Sequence, residues 1–177
     1  KAERERAEAI YRIVPSQLAI SDRNAFIGEL EAALYAGKIA AYAQGFAVME
    51  QASVEFSWKL PMPVIAKIWR AGCIIRSQFL DRIAEAFAAT SGKGNLLLAP
   101  DFVAMMKESH GALRHVVAAA ARAGSPVPAL SSALAYFDSY RQARGTANII
   151  QGQRDFFGAH GFERIGEEGA HHGPWNG

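Results

Sequence analysis

Between Gln151 and His160 the chain reads QGQRDFFGAH, setting an arginine, a histidine and three amide or acid side chains among aromatics and glycines. Arg154 offers a planar fork of donors matched to a phosphate or carboxylate, and His160 adds a donor or acceptor that titrates near neutral pH. Together they suit an anionic ligand. The two lie six positions apart, about 120° around a continuous helix. They converge on one ligand only if the helix stops or bends between them, and Gly158 is the expected stop. On chemistry alone, the simpler reading is a solvated arginine and a helix-ending histidine held by a backbone carbonyl.

The elements that must position this segment read as helix after helix, an all-α domain. Asp22 or Asn24 can cap a long helix with Phe26, Leu30, Leu34, Tyr42, Phe46 and Met49 on its apolar face, ending near Phe56. Pro61 and Pro63 suit the first turn of a short helix carrying Ile65, Ile68 and Trp69, and the i+4 spacing of Ile75, Phe79, Ile83 and Phe87 predicts a helix over 74–87. Glycine-rich residues 91–95 connect it to a helix capped by Asp101 and stopped at Gly124. Helices over 129–142 and 146–160 follow, the second with Thr146 as a candidate N-cap. Residues 161–177 contain five glycines and a proline and read as an extended tail, which Phe162, Ile165 and Trp175 can anchor in a groove.

Composition narrows the classes. With 177 residues, half of them hydrophobic, the chain can bury one sizeable core. A formal charge of +2, with no run of basic residues, leaves no electrostatic footprint for nucleic acid or a membrane surface. Cys73 is the single cysteine, so no internal disulfide forms; a reducing, cytoplasmic setting and a buried position for Cys73 are expected. No apolar run has the length of a membrane span. The opening KAERERAEAIYRIV is charged and helical in character, unlike a signal peptide, and its lack of a starting Met points to a trimmed start.

Four blocks in order carry a resemblance: LYAGKIAAYAQGF from Leu34, IWRAGCIIRSQFL from Ile68, NLLLAPDF from Asn95, and SSALAYFDSYRQARGTANIIQGQRDFFGAHGFERI from Ser131. They resemble the C-terminal, all-helical part of decarboxylating 6-phosphogluconate dehydrogenase. The resemblance implies an enzyme that uses NADP to oxidise the 3-hydroxyl of 6-phosphogluconate. Carbon dioxide then leaves the 3-keto acid, and the enediol tautomerises to ribulose 5-phosphate, without a metal. It also implies a homodimer, each subunit reaching into its partner's active site near the substrate phosphate with the arginine of QRD and the histidine of GAH. Matched residue by residue, these are Arg154 and His160.

The family's lysine base, glutamate acid and nucleotide-binding Rossmann domain lie upstream of the matched region. Nothing here reads as a GxGxxG turn after an apolar strand. The resemblance therefore implies no catalytic and no cofactor-binding residue in this chain, no NADP bound by it alone, and no activity alone. It further divides the chain into a substrate-binding and dimerisation domain over 1–160 and a tail over 161–177 docked on the partner subunit. The chain departs from the family at Gly145 and Thr146, where Leu-Pro is usual, at Phe156, where Tyr is usual, and in the ending His172-Gly173-Pro174-Trp175.

Other residues carry plainer readings. His171 and His172 beside Glu167 and Glu168 match no metal spacing and read as solvated tail; His110 and His115 read as packing or surface contacts. Arg70 and Arg76 read as charge partners of neighbouring helices, with a place in the substrate cleft as the alternative, and Gly45 as a point of close helix packing. A different function class stays open: a non-catalytic helical module that only dimerises or binds a sugar phosphate. The residues that would exclude it lie upstream. A related hydroxyacid dehydrogenase acting on another substrate is disfavoured by the QRD and GAH pair.

Overall fold

A computed structural model describes residues 1–11, 18, 20–72, 74, 77–90 and 94–175. Among these, the helices are α1 (Ala2–Tyr11), α2 (Arg23–Glu55), α3 (Met62–Gly72), α4 (Phe79–Ala89), α5 (Pro100–Arg122), α6 (Pro128–Tyr140) and α7 (Ala147–Gly158). A 3₁₀ turn spans Leu96–Leu98, and a two-stranded antiparallel hairpin pairs β1 (Phe162–Glu163) with β2 (Ala170–His171). The all-α expectation holds. The chain divides into two compact units, Lys1–Tyr136 and Phe137–Gly177.

The first unit is organised by the pairing of α2 with α5. Asp22 starts α2 as expected, its Oδ1 accepting from the amides of Asn24 and Ala25 at 2.9 and 3.0 Å. The buried face of α2 differs from the one its large apolar residues suggest. Ala33, Ala36, Gly37, Ala40 and Ala43 are buried with Ile39 and Phe46, whereas Leu30 and Leu34 are exposed. On α5 the buried residues Phe102, Met106, Ser109, Leu113, Val116 and Ala120 alternate spacings of four and three, a seam that stays on one side of a helix. Large residues on α5 meet small ones on α2, so interdigitation rather than bulk on both sides fills the interface.

Aromatic rings extend this core. Phe46 packs against Trp69 and Phe87 with ring centroids 5.4 and 5.0 Å away, and Phe79 meets Tyr35 and Phe102 at 5.6 Å each. The NLLLAPDF block folds as a plug: Asn95 caps the 3₁₀ turn through its Oδ1 and donates its Nδ2 to Tyr136 Oη at 2.8 Å, while Leu96, Leu97 and Phe102 are buried.

Several boundaries differ from the sequence reading. The helix expected over 74–87 begins only at Phe79, because α3 ends at Gly72 and Ser77 Oγ accepts from the Phe79 amide at 3.3 Å; Ile74 is almost fully exposed. Asp101 sits inside the first turn of α5. Pro100 is the first helical residue and Ala99 occupies the cap position without a side-chain bond. Gly124 does lie past the end of α5 at φ +67°, with Ser125 N bonding Ala120 O, the pattern of a Schellman stop. Thr146 occupies the cap position of α7 but makes no capping bond. Gly45 has open space where a Cβ would be, so it is not a point of close packing here. Cys73, Ile75 and Arg76 lie outside the described residues.

The core sets a contrast in stability between two neighbouring positions of α2. Phe46→Ala should lower the unfolding free energy by about 3 to 5 kcal/mol, as expected for an aromatic removed from a packed core, whereas Gly45→Ala should raise it by up to about 1 kcal/mol through helix propensity. Urea unfolding followed by far-UV circular dichroism measures both. A loss at Gly45→Ala would mean that a neighbour covers that face.

Candidate functional site

The QGQRDFFGAH segment lies wholly in the second unit. Residues up to Gly158 are helical, and the chain leaves α7 through Ala159, which takes the left-handed conformation at φ 48°, ψ 38° with its amide bonded to Asp155 O at 2.9 Å. The break therefore falls one residue later than expected and on a residue with a Cβ. Gly158 serves a different purpose. A Cβ there would come within 2.7 Å of His160 Nε2, so the missing side chain makes room for the imidazole. Left-handed backbone at a non-glycine residue costs roughly 1 to 3 kcal/mol and persists only where the surroundings enforce it.

The enforcing group is Asp155, which sits at the centre of the unit. Its side chain is buried, one helical step from exposed Arg154. Oδ1 accepts from the Gly161 amide at 2.9 Å and faces His172 Nδ1 at 2.6 Å; Oδ2 accepts from the Gly173 amide at 2.8 Å and from Trp175 Nε1 at 2.5 Å. A carboxylate only accepts, so His172 carries a proton on Nδ1. Burial by itself would raise the Asp155 pKa. The donors from Gly173, Trp175, His172 and Gly161 outweigh it and hold the carboxyl well below the usual aspartate range.

These bonds hold much of segment 161–175 to its own chain, a local order that the reading of a glycine-rich tail did not include. The segment turns into the β1–β2 hairpin and folds back on α7 of its own chain, with Phe156 and Trp175 edge to face at 5.8 Å. Ile165 remains exposed. His172, read as solvated, is a ligand of Asp155, while His171 Nε2 lies 3.6 Å from Glu167. The signal for this clamp in the sequence is thin: an acid beside Arg154 near the end of α7, and a tryptophan in a glycine-rich tail.

Between α7 and the folded-back tail runs an open groove of about 1190 Å³. His160 stands on its wall with Arg144, Asn148, Gln151, Arg164 and Trp175 among the others. Arg154 is not on that wall. It projects from the neighbouring exposed side of α7, and no carboxylate pairs with it among the described residues. The structure thus brings His160 into a groove with two other arginines, and leaves Arg154 on a separate face.

In the first unit Arg70 pairs with Asp81 at 2.7 Å, the charge-pairing role expected of it, and His115 bonds Glu29 at 2.6 Å with its ring edge-on to Phe26. Among the described residues no three His, Cys, Asp or Glu side chains gather to hold a metal ion, and no helix is long and apolar enough to cross a membrane.

The family described as 6-phosphogluconate dehydrogenase, C-terminal domain, matches residues 1–175. The chain belongs to this family. The decarboxylating 6-phosphogluconate dehydrogenase of Klebsiella pneumoniae is 50% identical over 161 residues, which cover 91% of this chain and 34% of that protein. The enzyme of the same name from Lactococcus lactis subsp. cremoris is 49% identical over 154 residues, covering 87% and 33%. A solved 6-phosphogluconate dehydrogenase of Plasmodium falciparum, described as apo, with its cofactor NADP+ and with its substrate 6-phosphogluconate, superposes with a TM-score of 0.91. Its sequence identity is 38%, over 98% of this chain and 38% of that one. The chain thus spans about a third of the length of these 6-phosphogluconate dehydrogenases.

The Asp155 clamp has a pH signature. The carboxyl is more acidic folded than unfolded, so its stabilising effect is complete above the unfolded aspartate value, about 3.9, and is lost as pH falls below it toward the folded value. The amides of Gly161 and Gly173 should keep their protection from hydrogen exchange between about pH 5 and 7 and lose it only in stronger acid. In Asp155→Asn that protection should already be low at neutral pH. Exchange followed by NMR measures both, and full protection in the variant would contradict the clamp.

Proposed function

We propose that this chain is the C-terminal portion of a cytoplasmic, NADP-dependent, decarboxylating 6-phosphogluconate dehydrogenase, and that it supplies dimer contacts and two contacts to the phosphate end of the substrate. The observation that carries this reading is the retention of Arg154 and His160 in QRD and GAH within a chain matched by the family over residues 1–175. The cation and the imidazole serve the partner subunit's active site, so a monomer has incomplete sites.

The chemistry of the two residues fits that role. Arg154 is exposed without a carboxylate partner among the described residues, so its guanidinium is free to take two phosphate oxygens in a bidentate bond. His160 stands beside Gly158 on the wall of a groove, on a different side of α7, and its imidazole supplies a separate contact. Several large apolar side chains stand in water: Ile149, Ile150, Phe156 and Phe157 on α7, and Ile27, Leu34 and Val48 on α2. Exposure of this kind marks surfaces that another chain or domain covers, in keeping with a dimer.

NADP belongs to the upstream part that the longer relatives have. No residue here is assigned to it: among the described residues no strand leads through a glycine turn into a helix where a pyrophosphate would sit. When bound there, NADP accepts the hydride from the 3-hydroxyl carbon of the substrate. The residues of this chain take no part in that transfer, nor in the loss of carbon dioxide. They fix the far end of the sugar phosphate so that its reactive end is presented in one orientation.

In the full-length enzyme, Arg154→Ala should raise the KM for 6-phosphogluconate about tenfold to 150-fold, corresponding to the loss of a charge-assisted bond of about 1.5 to 3 kcal/mol, with the KM for NADP nearly unchanged. Steady-state kinetics with each substrate varied in turn checks this. A KM for 6-phosphogluconate equal to wild type would sink the assignment.

A further inference from the structure

We propose that Asp155 is the positioning residue of this site: its carboxylate, by gripping Gly161, His172, Gly173 and Trp175 at once, sets where the His160 imidazole stands and holds the groove beside it open. The inference deepens the reading of His160 as a substrate contact and rests on it.

The geometry makes one buried group responsible for three things. First, Asp155 brackets His160. Its backbone carbonyl takes the amide of Ala159, and its side chain takes the amide of Gly161, so the residues on both sides of the histidine are tied to the same aspartate. Second, those two bonds enforce the left-handed conformation of Ala159, which turns the chain so that the imidazole lies against the bare Cα of Gly158. Third, the remaining bonds, from His172, Gly173 and Trp175, hold the end of the tail, and Gly173, Pro174 and Trp175 form part of the groove wall that includes His160.

The carboxylate is suited to this where its amide is not. Four donors converge on two oxygens, and an ionised carboxylate has lone pairs for all of them. Asparagine would keep one acceptor oxygen and turn an NH2 toward at least one N–H, so part of the clamp must open although the side chain has nearly the same shape. The arginine next to it in sequence needs no such support, since Arg154 is exposed on a different side of α7.

The test is a double-mutant cycle in the full-length enzyme. Asp155→Asn should raise the KM for 6-phosphogluconate about tenfold to a hundredfold, the scale of a misplaced contact, with the KM for NADP unchanged. His160→Ala should do likewise, and the double variant should be no worse than the poorer single one, because a histidine already absent cannot be misplaced. Trp175→Phe, which keeps the ring against Phe156 and removes only the N–H donor, should show a smaller loss in the same direction. It carries the same cycle if Asp155→Asn fails to fold.

Losses that multiply in the double variant would overturn the proposal, as would a folded Asp155→Asn enzyme with wild-type KM. If His160→Ala itself leaves the KM for 6-phosphogluconate unchanged, the substrate reading fails, and the positioning role is decided by the NMR signals of the His160 ring. A shifted ring signal in Asp155→Asn would support it, and an unmoved one would overturn it.

Discussion

A buried carboxylate has to be satisfied by donors, and in the second unit that single requirement organises everything after α7. Asp155 faces the tail with two oxygens and no water-exposed alternative, so the chain beyond Gly158 is drawn back to bring four N–H groups to it. The hairpin, the left-handed turn at Ala159 and the stance of His160 are consequences of that satisfaction. A tail of glycines and charged residues has too little apolar surface to dock by burial alone. It docks because one acid at its base supplies a fixed set of acceptors.

The first unit rests on a different constraint, the fit of a large-residue seam on α5 into a small-residue seam on α2. Alanines at 33, 36, 40 and 43 let the two helices approach, and the aromatic cluster around Phe46 and Phe79 fills the space beside them. Since the alanine face of α2 turns inward, larger residues such as Ile27 and Leu34 are left outside. The face that sequence periodicity marks as the core is in part an outer surface, which connects the packing of this unit to the proposed association with a second chain.

Much of the fold was legible because it is carried by local signals. The Asp22 cap, the long apolar run behind it, the prolines ahead of α3 and the glycine after α5 each act within a few residues, and the structure follows them. The misreadings have separate causes. The i+4 pattern suggested a helix from 74 where α4 begins only at Phe79, and bulky residues on α2 suggested a buried face that alanines occupy. On α2 the deciding term was packing against α5, which outweighs bulk; at α4 it was a local bond from the Phe79 amide to Ser77 Oγ.

For the site, the sequence by itself determined the chemical inventory: an arginine fork, an imidazole, and a helix end between them, in a pattern that also carries the family. Side-chain identity and short-range spacing are properties of the chain alone, so they can be read without a structure. Only the tertiary structure decided that Asp155 is the hub, that His172 and Trp175 are its ligands, and that His160 enters a groove while Arg154 stays on another side of α7. Those facts depend on contacts between residues up to twenty positions apart, made by a segment whose local preferences specify no conformation. The hydrogen-bonding demand of a buried charge supplies what those preferences lack.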